Sequence, residues 1–227
     1  MRNVKRLPKP SSLSKNSLNW TKTLLAEIIR CNKCGERVLE KFYSKYNKKD
    51  IRDALNKMYD NCCCYCESKL GIVDYSHIEH RKPKRGTPPN NFPQFCFDWD
   101  NLHLSCTRCN VSKGDKFDST NPILDAIADT NIETHFIYQL GVDSDLLWYP
   151  TSHRANTTLK HTDLNRSELA KARLSVFKEV LNQIIAIKAN PGNPGNAIVL
   201  SELRKKANGH SSYGSVIKFL LTNQAVA

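Results

Sequence analysis

Apolar residues recur at helical spacing toward both ends of the chain and lose that rhythm in the middle. Leu18, Leu24, Leu25, Ile28 and Ile29 fall mostly at helical spacing, as do Ile51, Leu55, Met58 and Tyr59, which predicts two amphipathic helices. The stretch RKPKRGTPPNNFP (81–93) is too rich in Pro and Gly to be regular helix. Further on, ETHFIYQL and LLWY flank GVDSD and predict two strands joined by a turn. Asn165 with Glu168 approximates a capping box. Leu169, Ala172, Val176, Phe177, Val180, Leu181 and Ile184 then keep helical period to about residue 188. NPGNPGN ends that helix, and two short helices are expected over 197–207 and 212–223. The first 17 residues, basic and rich in Pro and Ser, read as an arm, and there is no internal repeat.

Composition adds charge. Lys and Arg number 34 against 22 Asp and Glu in 227 residues, a formal net charge of +12, which favours a polyanionic partner such as nucleic acid. The basic N-terminus lacks the apolar run of a signal peptide, and no stretch approaches the roughly 20 apolar residues of a membrane span, so a cytoplasmic protein is expected. Thiols stay reduced there, and nine cysteines, an odd number set in close pairs, point to metal ligation rather than disulfides.

Cys63 with Cys66 and Cys106 with Cys109 form two C-x-x-C pairs, each able to offer two thiolates from one turn. Together they suit a tetrahedral structural Zn²⁺ site, although Cys62 and Cys64 leave the register of the first pair open. Cys31 and Cys34 form a third pair without obvious partners and read as free thiols at a helix end; a second zinc would have to recruit Cys62, Cys64 or Cys96.

Between the pairs lie HIEHRKPK and DWDNLHLSCTRCNVSKGDK, which a zinc staple would bring together. Glu79 and Asn110 offer oxygen ligands and His80 a base titrating near neutrality. Lys82, Lys84, Arg85, Arg108 and Lys113 supply positive charge. That inventory suits phosphodiester hydrolysis, where a water is deprotonated and phosphoryl charge neutralised. His77 and His103 read as loop or core histidines, and Trp99 as a core anchor.

The segment CCYCE … IEHRKPK … DWDNLHLSCTRCNVSKGDKF (61–118) resembles the HNH endonuclease signature, a ββα-metal nuclease in its zinc-stapled form. The resemblance implies His80 as general base, Glu79 and Asn110 as ligands of a catalytic divalent ion, and Asn101 bracing the loop that carries His80. Lys113 would contact phosphate, and Lys82, Lys84, Arg85 and Arg108 would meet the nucleic-acid backbone. Glu79 stands where Asp is commoner and Asn110 where His is commoner, which shifts the expected ion toward Mg²⁺ or Mn²⁺.

More loosely, the order of EHRKPK, DWDNLHLSCTRCN, the hairpin and ANTTLKHTDLNRSELAKAR resembles the HNH nuclease subunits (PtuB) of Septu anti-phage systems, including retron-associated forms. That implies a PtuA-like ATPase partner and, in retron forms, a reverse transcriptase with its RNA–DNA product. The target would be DNA before RNA. The expected fold is α+β: a zinc-stapled ββα-metal core over 61–118, a basic arm and N-terminal helices over 1–60, and a C-terminal hairpin and helical region over 119–227. The rivals are a non-catalytic zinc-dependent binding module and a freestanding restriction-type HNH enzyme; a pure binder has no need of a base at His80.

Overall fold

The computed structural model describes residues 1–71, 75–141 and 145–223 and is α+β, with eight α-helices and two two-stranded antiparallel sheets among those residues. Helix α1 spans Ser11–Cys34, α2 Glu40–Tyr43 and α3 Lys49–Met58. Pro10 precedes α1, and the Asp50 carboxylate accepts the Ser12 N–H and hydroxyl at 2.8 Å each, supplying from α3 the cap that Pro10 cannot. Gly35, at φ 69°, closes α1 in the left-handed conformation that favours glycine. The buried face of α1 is Leu13, Leu24 and Cys31, while Leu18 is 70% and Ile29 57% exposed. The expected helix is present, but its apolar stripe is turned away from Leu18. In α3, Ile51, Leu55 and Met58 are buried as their spacing predicts.

Helix begins at Ser11, inside the expected arm, and residues 1–10 are threaded through the molecule. Two prolines keep this stretch extended, so its polar groups pair with neighbours. The Val4 N–H donates to the Ala126 carbonyl at 2.7 Å, and Arg6 donates to the Leu102 carbonyl at 2.8 Å while lying over Trp99. Trp99 Nε1 donates to the Leu7 carbonyl at 2.9 Å, the core anchor that its sequence context suggested.

Strand β1 (Ser76–His80) pairs with β2 (Leu102–Cys106) from Ser76↔Cys106 to His80↔Leu102, and α4 (Thr107–Lys113) follows β2 directly. The loop between the strands returns on itself at Gly86, where a side chain would collide with the Asn90 carbonyl. Strands β3 (Phe136–Leu140) and β4 (Leu146–Pro150) make the second pair, from Phe136↔Pro150 to Leu140↔Leu146, as the alternation predicts. Most of the connecting GVDSD lies outside the described residues.

Helices α5 (His153–His161), α6 (Ser167–Ala189), α7 (Asn196–Lys205) and α8 (Gly214–Asn223) complete the chain. α6 and the break after it match expectation, but Asn165 does not cap α6. It accepts the Trp148 N–H at 2.9 Å and donates to the Trp148 carbonyl at 2.8 Å, pairing with strand β4 instead. The main core draws on all three stretches of the chain, including Leu24, Ile51, Leu55, Phe97, Leu104 and Trp148, while α6, α7 and α8 share a smaller cluster around Ile184. Among the described residues no helix is long and apolar enough to cross a membrane.

Candidate functional site

Two local turns build a sulfur cluster. In the first, the Glu67 N–H closes onto the Cys63 carbonyl at 3.0 Å, the Cys63 N–H onto the Ser68 carbonyl at 3.0 Å, and the Cys64 N–H ties the turn to Leu104 of β2 at 2.8 Å. In the second, Cys106 ends β2 and its Sγ accepts the Cys109 N–H at 3.3 Å. The Sγ atoms of Cys63, Cys66, Cys106 and Cys109 are buried and lie within 4.8 Å of one another, with Cys66 and Cys106 3.8 Å apart. A tetrahedral zinc with bonds of about 2.3 Å needs sulfurs about 3.8 Å apart. The donor set therefore fits zinc, and the register left open by the sequence falls on Cys63 and Cys66. Among the described residues, Cys31, Cys34, Cys62, Cys64 and Cys96 join no cluster of three or more potential ligands.

Outer partners surround the sulfurs. Arg166, just before α6, donates to Cys109 Sγ at 3.5 Å and lies 4.0 Å from Cys106 Sγ. Ser68 Oγ is 3.3 Å from Cys66 Sγ and 3.0 Å from the Tyr213 hydroxyl. The Glu67 carboxylate accepts the Ser215 N–H of α8 at 2.9 Å. These contacts hook the C-terminal helices onto the cysteine turns, and nothing in the sequence spacing signalled Arg166 or Tyr213.

A cleft of about 260 Å³ opens beside the β1–β2 pair, and Glu79, His80 and Asn110 line it together with Tyr46, Lys84 and Arg85. Glu79 and His80 end β1, whereas Asn110 comes from α4; packing of α4 on both strands brings these positions into one wall. His80 Nε2 lies 2.9 Å from the Cys96 carbonyl, which can only accept, so Nε2 carries the proton and the neutral ring keeps its lone pair on Nδ1. Burial first, then the charge of Lys84, holds the His80 imidazolium well below its usual pKa. Tyr46 packs its ring edge-on to His80 at 4.6 Å. Asn101 accepts the Lys82 N–H at 2.7 Å and donates to the Lys82 and Phe95 carbonyls at 3.0 Å each, fastening both ends of the loop that follows His80.

Lys113 points inward. It is 1% exposed, and its ammonium lies 2.8 Å from Glu79 Oε1, donating also to the His80 carbonyl at 2.8 Å. Its position at the end of α4, over β1, directs it to Glu79 rather than to a phosphate at the surface. Tyr65 donates to the same Glu79 oxygen at 3.2 Å; burial and then the Glu79 charge push its phenol well above the usual pKa, so it remains a donor. Lys82 lies over Phe95, Arg85 over Tyr43, and Arg108 is exposed on α4. His77 Nε2 is 3.0 Å from the Thr107 hydroxyl. His103 is a buried core histidine, its Nδ1 2.7 Å from the Tyr59 hydroxyl, and burial drives its pKa down to about 3. Tyr46 and Tyr65 were not anticipated, because their roles arise only from tertiary packing.

No family profile and no solved structure matches the chain. Among curated proteins it is similar to Septu protein PtuB of Bacillus mycoides (strain KBAB4), 33% identical over 78 residues covering 31% of this chain and 26% of that protein. It is similar to Septu protein PtuB of Bacillus thuringiensis, 34% identical over 99 residues covering 43% of this chain and 37% of that protein. It is also similar to the Retron Vc95 putative HNH endonuclease of Vibrio cholerae serotype O1 biovar El Tor, 27% identical over 168 residues covering 68% and 76% of the two chains. The matches thus span about a quarter and over a third of the two PtuB proteins, and most of the retron protein. The chain is related to proteins of the PtuB and retron-HNH type, as the order of its segments implied.

Proposed function

We propose that the chain is a metal-dependent HNH endonuclease that hydrolyses nucleic-acid phosphodiester bonds, with β1, β2 and α4 as a ββα-metal core stapled by zinc on Cys63, Cys66, Cys106 and Cys109. The observation that carries this reading is the convergence of Glu79, His80 and Asn110, from opposite ends of the motif, on one cleft. His80 would take a proton from water at Nδ1, the Cys96 carbonyl fixing its tautomer. The Glu79 carboxylate and the Asn110 amide oxygen would hold Mg²⁺ or Mn²⁺, which supplies charge neutralisation at the phosphoryl group and the departing 3′ oxygen. Asn101 keeps the His80 loop in place. Lys113 pairs with Glu79 and holds it in place instead of meeting phosphate. Lys82, Lys84, Arg85 and Arg108 would contact the backbone.

The names of the relatives support a place in anti-phage defence. In this reading the chain is the effector nuclease of a cytoplasmic complex with a PtuA-like ATPase or, in a retron setting, a reverse transcriptase and its RNA–DNA product, acting on DNA before RNA. The test is cleavage of plasmid DNA and of total RNA, with and without the protein encoded next to it, in Mg²⁺ or Mn²⁺. His80→Ala should abolish cleavage while zinc content and helical circular dichroism stay unchanged. Cleavage retained by that variant refutes the assignment.

A further inference from the structure

We propose that residues 40–48, outside the cysteine-flanked motif, form a second wall of the nucleic-acid channel, in which Lys41, Lys45 and Lys48 track the phosphate backbone and Glu40 tempers Arg85. The inference rests on the nuclease reading of the cleft and adds to it a surface which that motif does not contain.

The cations of the loop after His80 do not stand alone. Tyr46 lines the cleft, Lys84 lies 4.2 Å above its ring and its ammonium donates to the phenol oxygen. Arg85 lies 3.7 Å over the Tyr43 ring and 2.6 Å from the Glu40 carboxylate. Glu40, Tyr43 and Tyr46 are spaced by three along α2 and the 3₁₀ turn that follows it, so one face of this segment carries two of the candidate backbone cations. Beside that face lies Phe42, with the Lys41 ammonium 5.5 Å and the Lys45 ammonium 5.9 Å from its ring.

Within 40–48 three lysines stand against one acid, Glu40, and Lys41 and Lys48 are exposed. The Phe42 ring holds the Lys41 and Lys45 ammonium groups beside one another, a positive surface suited to a polyanion that must be held without sequence readout. The Glu40–Arg85 pair is exposed on both sides, at 61% and 44%, and exposed pairs are weak, so a phosphate displaces Glu40 at little cost. The bland alternative is a solvated positive face whose only influence is the overall field.

Binding of the full chain to short labelled duplex DNA and single-stranded RNA, without added divalent ion and over a range of sodium chloride, separates the two. The effect is read on whichever polymer the native chain binds more tightly. Lys41→Gln/Lys45→Gln/Lys48→Gln should reduce the slope of log Kd against log salt by about 2 to 3 and weaken low-salt binding more than about tenfold. Glu40→Gln should tighten binding by about 2- to 5-fold. Lys171→Gln/Lys178→Gln/Arg204→Gln, exposed residues on α6 and α7 with the same change in net charge, should leave the slope unchanged. An unchanged slope in the first variant, or an equal loss in the last, overturns the proposal. If the native chain cleaves and the 41/45/48 variant binds as it does, this inference alone falls; a native chain that binds neither polymer removes it together with the nuclease reading.

Discussion

The cysteine cluster and the cleft both border the β1–β2 pair and α4, yet they are built in opposite ways. Each pair of sulfurs comes from one turn, closed by its own local hydrogen bonds, and all four are buried among outer partners from the segments leading into α6 and α8. Such a closed set gives a metal no open position, so its contribution is to stability. The cleft is open to solvent and lined by ionisable groups, and its one buried acid, Glu79, is balanced from within by Lys113. Chemistry needs the open geometry. A closed, sulfur-rich site holds the frame, and an open, oxygen-lined one can admit water and phosphate.

Substitutions that act on one region and spare the other sharpen this contrast. The largest effect is expected from Cys106→Ser, because a structural zinc contributes on the order of 10 kcal/mol to folding; zinc content should fall to zero and the cooperative thermal transition should disappear. Lys113→Met comes next. It leaves the Glu79 carboxylate buried without its cation, which costs about 3–5 kcal/mol, to be measured by urea unfolding with zinc retained. Arg166→Met removes the outer partner of two sulfurs and should lower zinc retention against a competing chelator by about 10- to 100-fold, with little change in the far-UV spectrum.

Smallest per step, at one pH unit, is a pH dependence. His103 has its folded pKa depressed to about 3 by burial, so the folded state binds fewer protons than the unfolded one. Its share of stability is complete above about pH 6.5 and is lost as pH falls from there toward the folded value, at about 1.4 kcal/mol per pH unit. The difference in unfolding free energy between the native chain and His103→Gln should shrink with that slope between about pH 6 and pH 4. A constant difference contradicts the burial of a neutral imidazole.

What was legible in the sequence was local. The C-x-x-C pairs are readable because two thiolates from one turn need a fixed spacing, and α3, α6 and the β3–β4 pair are readable because their periodicity is uninterrupted. Glu79, His80, Asn101 and Asn110 were singled out through the motif; three of the four line the cleft, and Asn101 fastens the loop behind it. Tertiary competition hid the rest. Asn165 has a cap's side chain but is drawn to Trp148, and Leu18 has core chemistry but sits on the outer face of α1. Lys113 follows Asn110 by three residues as a phosphate ligand would, yet the turn of α4 aims it at Glu79. Arg166, Tyr46 and Tyr65 reach their sites from segments whose distance in sequence carries no signal.

The central claim is that Glu79 and Asn110 hold one divalent ion in the cleft, apart from the zinc. Electron paramagnetic resonance of Mn²⁺ titrated into zinc-loaded protein tests it without requiring a partner or a substrate. The account predicts one bound Mn²⁺ per chain, lost in both Glu79→Gln and Asn110→Ala while one zinc remains. Unaltered Mn²⁺ binding in those two variants would contradict it.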